Sequence, residues 1–113
     1  MRSRTVVIVQ SDVGVAQKLA DHLQLYLGRI IVSGNALGFR TLLLRQETNG
    51  VELDLESVRV EEIRQLARDF HNLKIVCTHR SPDERLWAAT IEAGAIEPCH
   101  TLDLNSMIRV LRR

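Results

Sequence analysis

The residues of this chain best equipped for chemistry gather where its apolar runs end. Cys77 and His79 lie at the end of one such run, and Cys99 and His100 close the next. Two thiolates and two imidazoles can hold a tetrahedral Zn²⁺. Alternation along a strand, however, sends Cys99 and His100 to opposite faces. Free cysteine is also among the most often buried residues. Two buried thiols are therefore expected in preference to a zinc centre or a Cys77–Cys99 disulfide. The segment Ser33-Gly34-Asn35-Ala36-Leu37-Gly38 has two glycines that could cradle a phosphate. It lacks a lysine and the full dinucleotide spacing, so it reads as a turn. Gln10-Ser11-Asp12 follows the first apolar run, and Asp54 stands near the end of the third. By itself Asp54 is an ordinary strand-end acid, and the chain shows no constellation for covalent or acid–base catalysis.

The elements that must position these residues alternate between two periods. Thr5–Val9 is continuously apolar, as in a strand covered on both faces. Asp12 is placed to cap a helix in which Val15, Ala16, Leu19, Leu23 and Leu27 recur at helical spacing, with Gly28 as its C-cap. A second strand is predicted over Arg29–Ser33 and a second helix from Leu37 to Glu47. A third strand covers Val51–Glu56, where Val51, Leu53 and Leu55 alternate with Glu52, Asp54 and Glu56. That alternation predicts a half-exposed strand. A third helix follows over Val60–His71 and a fourth strand over Leu73–Thr78. Ser81-Pro82-Asp83-Glu84 has the form of a capping box with proline at the first helical position. The fourth helix carries Leu86, Trp87, Thr90 and Ile91 and ends at Gly94, and the phase of Trp87 with Ile91 predicts partial burial of the indole. Ile96–His100 is a short fifth strand, and Asp103 caps a last helix with Leu104, Met107, Ile108 and Leu111 on one face. Strands and helices alternating through short loops imply a parallel sheet with helices on both faces.

Composition narrows the partners. The chain has 113 residues, 15 basic and 14 acidic, with a net charge of +1. That size suits a single domain with one core, and the balance of charge gives no field for nucleic acid or an anionic membrane. No apolar stretch reaches the length of a membrane span, and Met1-Arg2-Ser3-Arg4 does not open a signal peptide. A reduced, cytoplasmic setting is expected from two cysteines alone. The last helix runs to Arg112-Arg113 without a terminating glycine or proline, the pattern of a helix that continues into further chain. Its basic end, Arg109, Arg112 and Arg113, reads as a solvated face that suits the helix dipole.

The stretch from Lys74 to Ala95 resembles the receiver domain of two-component response regulators. It has an apolar strand ending in Thr78, a polar loop, a helix, and the ending Glu92-Ala93-Gly94-Ala95. Asp103-Leu104 at the start of the last helix is similar too. The resemblance implies a flavodoxin-like doubly wound sheet of order 2-1-3-4-5, with its site at the carboxyl ends of the strands. It implies that Asp54 matches the phosphoacceptor and Thr78 the residue that contacts the phosphoryl group. Gln10 and Ser11 fall where the family has the acidic pair that holds Mg²⁺, with Asp12 one residue later. Thr101, or with a shifted gap His100, falls at the family's lysine, and Pro98 at its switch aromatic. The only lysines of the chain are Lys18 and Lys74.

These departures remove the cations on which phosphoryl transfer to a carboxylate relies. The chain is therefore expected to be an atypical, pseudo-receiver-like domain in signal transduction, non-enzymatic and without metal or cofactor. It would act as a regulatory protein-interaction or dimerisation module, with its own C-terminal output domain, another protein or a second copy as partner. The alternative is a functional phosphoacceptor modified on Asp54 by a histidine kinase. A small flavodoxin-like enzyme or cofactor binder using the same crevice is a third reading. The expected interface is the face of the fourth helix, fifth strand and last helix, where Arg85, Trp87, Glu92, Arg109 and Arg112 supply the aromatic and arginine anchors that interfaces favour.

Overall fold

The structure of the protein, a computed structural model, describes residues 4–33, 36–45, 47–81, 83–101 and 103–112. Among them the apolar runs form strands β1 (Arg4–Val9), β2 (Gly28–Ser33), β3 (Gly50–Asp54), β4 (Lys74–His79) and β5 (Glu97–His100). Between and after these lie helices α1 (Val13–Leu27), α2 (Ala36–Arg45), α3 (Val60–Asp69), α4 (Glu84–Ala93) and α5 (Leu104–Leu111). All strand pairs are parallel, and the order is β2-β1-β3-β4-β5. The fold is the flavodoxin-like, doubly wound sheet expected above.

The continuous apolar run of β1 is explained by its place inside the sheet. Val6 and Ile8 pack with Leu19, Ala20, Leu23 and Leu27 of α1 and with Met107, Val110 and Leu111 of α5. Val7 and Val9 pack on the other face with Phe39 and Leu43 of α2 and Ile63 and Leu66 of α3. Each fully buried aliphatic side chain contributes about 1.5–3 kcal/mol of apolar transfer. Alternation along β1 thus ties two helical layers to one strand. The Asp12 carboxylate caps α1 by accepting from the Val15 N–H at 3.1 Å, and Gly28 ends the helix with a φ of 113° that an L side chain rarely adopts. Gly94 ends α4 at φ 117°, and a Cβ there would come within 2.5 Å of the Ala67 Cβ on α3. The same glycine therefore permits both the turn and the close α3–α4 packing.

Three local expectations are corrected. β3 is not half-exposed: every residue from Gly50 to Asp54 is buried, Glu52 completely. Val51 and Leu53 join the α2–α3 core. Glu52 lies between Ile8 and Val76 in the strand register, both members of the α1–α5 core, so the acid is an inward residue. The cap of α4 is Asp83, not Ser81, because it is the Asp83 carboxylate that accepts from the Leu86 N–H, at 2.8 Å. Pro82, the proline of the expected capping box, is outside the described residues. Gly38 belongs to α2, not to a turn, while Gly34 and Asn35 of the same segment lie outside the described residues, as does Arg113.

Candidate functional site

The site grows from the carboxyl ends of three neighbouring strands. Gln10 follows β1, Asp54 closes β3, and Thr78 is paired with Asp54 across the β3–β4 register. The parallel pairing brings together residues as far as 68 positions apart in sequence, and strand alternation aims Asp54 and Thr78 to one face.

Asp54 is 4% exposed. Its Oδ1 accepts from the Glu56 backbone N–H at 3.0 Å, and its Oδ2 accepts from the hydroxyls of Ser11 and Ser57, each at 3.1 Å. Its own carbonyl anchors the loop by accepting from the amides of Ser57 and Val58 at 2.9 Å. The donors that hold this carboxylate are thus neutral. Ser11 brings a hydroxyl and no charge to the rim.

Gln10 turns inward. It is buried, and its Nε2 donates to Glu52 Oε2 at 3.0 Å and to Thr78 Oγ1 at 3.2 Å. The Thr78 hydroxyl, itself fully buried, donates to the same Glu52 oxygen at 2.5 Å. Its single proton is therefore directed to Glu52 and not to Asp54. Glu52 Oε1 has no hydrogen-bond partner among the described residues. Burial pushes the Glu52 carboxyl up to about 8; the Thr78 and Gln10 hydrogen bonds pull it down, and the Asp54 charge pushes it up again. At neutral pH the group is a neutral acid, which is how an acidic residue can occupy an apolar layer.

Arg80 brings a cation to the rim. Its guanidinium lies 3.8 Å from Asp12 Oδ2 and 3.6 Å from Glu56 Oε1, bridging the loops after β1 and β3. With an exposed side chain, such a pair contributes about 1 kcal/mol or less. Sequence reading missed both Glu52 and Arg80. The signal for Glu52 was present in the alternation of β3 and was assigned to the wrong environment. Arg80 carried the weaker signal of standing two residues beyond Thr78, on the loop that faces the same crevice.

Pro98 and Thr101 are buried and His100 is exposed. Cys77 packs in the α2–α3 core and Cys99 in the α1–α5 core, so the sheet separates them and they form no disulfide. Burial, helped by the charge of Glu52, raises the Cys77 thiol well above its ordinary range. His79 accepts from the Ser81 N–H through Nδ1 at 2.9 Å. Among the described residues no group of three or more His, Cys, Asp or Glu side chains could hold a metal ion, and no helix is long and apolar enough to cross a membrane. Arg85, Glu92, Arg109 and Arg112 are exposed. Trp87 is 40% exposed and Ile91 48%, because Thr90 and Ala93 take the buried side of α4. With Asp83, Glu84 and Ala88 they line a shallow groove of about 520 Å³.

This architecture recurs in solved structures. A signal receiver domain of a DNA-binding response regulator from Colwellia psychrerythraea superposes with a TM-score of 0.87 at 15% identity, over 97% of this chain and 96% of that one. The chain has the receiver-domain fold. A response regulator from Thermotoga maritima gives a TM-score of 0.86 at 20% identity, over 98% of this chain and 96% of that one. An orphan response regulator of H. pylori gives 0.87 at 9% identity, over 97% and 94%. No family model matches the sequence, and no curated protein matches it. The receiver fold is therefore shared at identities of 9–20%. In that fold, the strand ends that carry Gln10, Asp54 and Thr78 form the crevice where ligands of doubly wound sheets sit.

Proposed function

We propose that this chain is an atypical receiver domain of response-regulator signalling, acting as a regulatory protein-interaction or dimerisation module without Mg²⁺-dependent phosphorylation. The observation that carries the reading is the filling of the site. Gln10 and Ser11 bring no carboxylate, and the Gln10 amide is committed inward to Glu52 and Thr78. Asp54 is satisfied by neutral donors. An octahedral Mg²⁺ usually keeps one or two carboxylates in its shell, and here Asp12 is engaged as the cap of α1 and leans toward Arg80. The metaphosphate-like charge of a transferring phosphoryl group would meet Arg80 at the rim, itself engaged by Asp12 and Glu56. The domain is non-enzymatic in this reading and needs no cofactor. Its partner is a protein: an output domain of its own, another chain or a second copy. The exposed groove around Trp87 and Ile91 on α4, with Arg85 and Glu92 on that helix and Arg109 and Arg112 at α5, is the face on which such a partner seats.

The test is incubation with acetyl phosphate and Mg²⁺, read by intact mass and by amide shifts around Asp12 and Asp54. The mass stays that of the unmodified chain, and millimolar Mg²⁺ causes no saturable, localised shift. A phosphorylated species that disappears in Asp54→Asn would establish instead that Asp54 is a working phosphoacceptor.

A further inference from the structure

Glu52 lies at the centre of the sheet, and the proposed function makes no use of it. It is 0% exposed, flanked by Ile8 on β1 and Val76 on β4 in the strand register. That face of the sheet is covered by Leu19 and Leu23 of α1 and Met107 of α5. The charged residues of these helices, Lys18, Asp21 and Arg109 among them, lie on exposed sides. What faces Glu52 is the Gln10 amide after β1, the Thr78 hydroxyl of β4 and the Asp54 carboxylate two residues along its own strand. The Cys77 thiol of β4 also senses its charge. None of these groups is a cation.

We infer that Glu52 is a proton-binding site built into the middle of the sheet, through which pH sets how α1 and α5 pack on the strands carrying Gln10 and Thr78. With its proton, the side chain is a neutral group that an apolar layer tolerates. Without it, one oxygen is held by two donors, while Oε1 is a charged acceptor with no partner among the described residues. A second negative charge would also stand on the same strand face as Asp54. An uncompensated buried charge is not tolerated in place. Relief requires new donors, and the layer packed on that face of the sheet is the one made by α1 and α5. The movement therefore falls on that layer. Burial holds the carboxyl near 8, so the change lies within reach of neutral and mildly alkaline pH. None of this depends on whether Asp54 takes phosphate.

The test is a ¹³C/¹⁵N NMR titration of the whole chain from about pH 3 to about pH 10, which spans the ordinary glutamate range and the region well above it. Glu52 Cδ should titrate with a midpoint near 8. The Gln10 side-chain amide, the Thr78 amide and the methyls of Leu19, Leu23 and Met107 should share that midpoint. All of these transitions vanish in Glu52→Gln. A Glu52 midpoint in the ordinary carboxylate range overturns the site. A midpoint near 8 with the α1 and α5 methyls unmoved overturns the coupling, as does a methyl transition that persists in Glu52→Gln. The Glu52 Cδ titration of the unaltered chain decides the first point even if the variant fails to fold.

Discussion

Replacing Glu52 with glutamine should change the sign of the variant's effect with pH. The folded chain holds the Glu52 proton up to about 8, whereas the ordinary value is 4.5. Between those limits the folded state binds more protons than the unfolded one, so stability falls as pH rises. The contribution is complete below the ordinary value and is lost as pH rises through the folded one. Each pKa unit corresponds to about 1.4 kcal/mol. Integrated from about pH 5 to about pH 8, the loss is roughly 3 to 4 kcal/mol, a large share of a typical domain's 5–15 kcal/mol. Glu52→Gln keeps the shape of the side chain, accepts from Thr78 and Gln10 through its oxygen, and carries no proton to lose. Urea unfolding followed by far-UV circular dichroism over this range gives the difference between the two proteins, in which the other titrating groups cancel. The variant should be equal to or slightly less stable than the parent at the acid end, where its amide nitrogen replaces the unpartnered Oε1. It should be more stable by a few kcal/mol at the alkaline end. Parallel stability curves would show that Glu52 ionises alike in the folded and unfolded chains, and the account of a buried neutral acid would fail.

Two further outcomes concern surface and turn. Sedimentation over a concentration series should show self-association, and Arg85→Glu with Arg109→Glu should dissociate the dimer while leaving the circular dichroism spectrum intact; a dimer indifferent to both places the interface elsewhere. Gly94→Ala should lower stability by at least about 1–3 kcal/mol through the positive φ alone, with more lost to the 2.5 Å approach of its Cβ to Ala67; an unchanged urea midpoint would mean that α3 and α4 separate at no cost.

Periodicity and punctuation in the chain dictated much of this architecture. Apolar runs within Thr5–Val9 and Leu73–Thr78 signal strands covered on both faces, and β1 and β4 are just that. Asp12 and Asp103 sit before helical stripes, and both cap as their positions require. Such signals are local: a cap needs only the next three amides, and a stripe needs only the helical repeat. The absence of acids at Gln10 and Ser11 is equally plain from residue identity.

What the sequence left open depends on the groups that arrive from elsewhere in the chain. The alternation of Glu52, Asp54 and Glu56 with Val51, Leu53 and Leu55 is that of a strand with one wet face. Only the neighbouring strands reveal that Gln10 and Thr78 are waiting beside Glu52 and that α1 and α5 cover it. The same acid is exposed and charged in one environment and buried and neutral in the other, and strand pairing at long sequence separation makes the choice. Ser81 and Asp83 compete for one helix start, and the amide that points at Asp83 decides it. Arg80 is a rim cation only because the loops after β1 and β3 bring Asp12 and Glu56 within reach. Hydrophobic period specifies which residues face inward, whereas the partners met there, and with them the protonation state of Glu52, are properties of the assembled sheet.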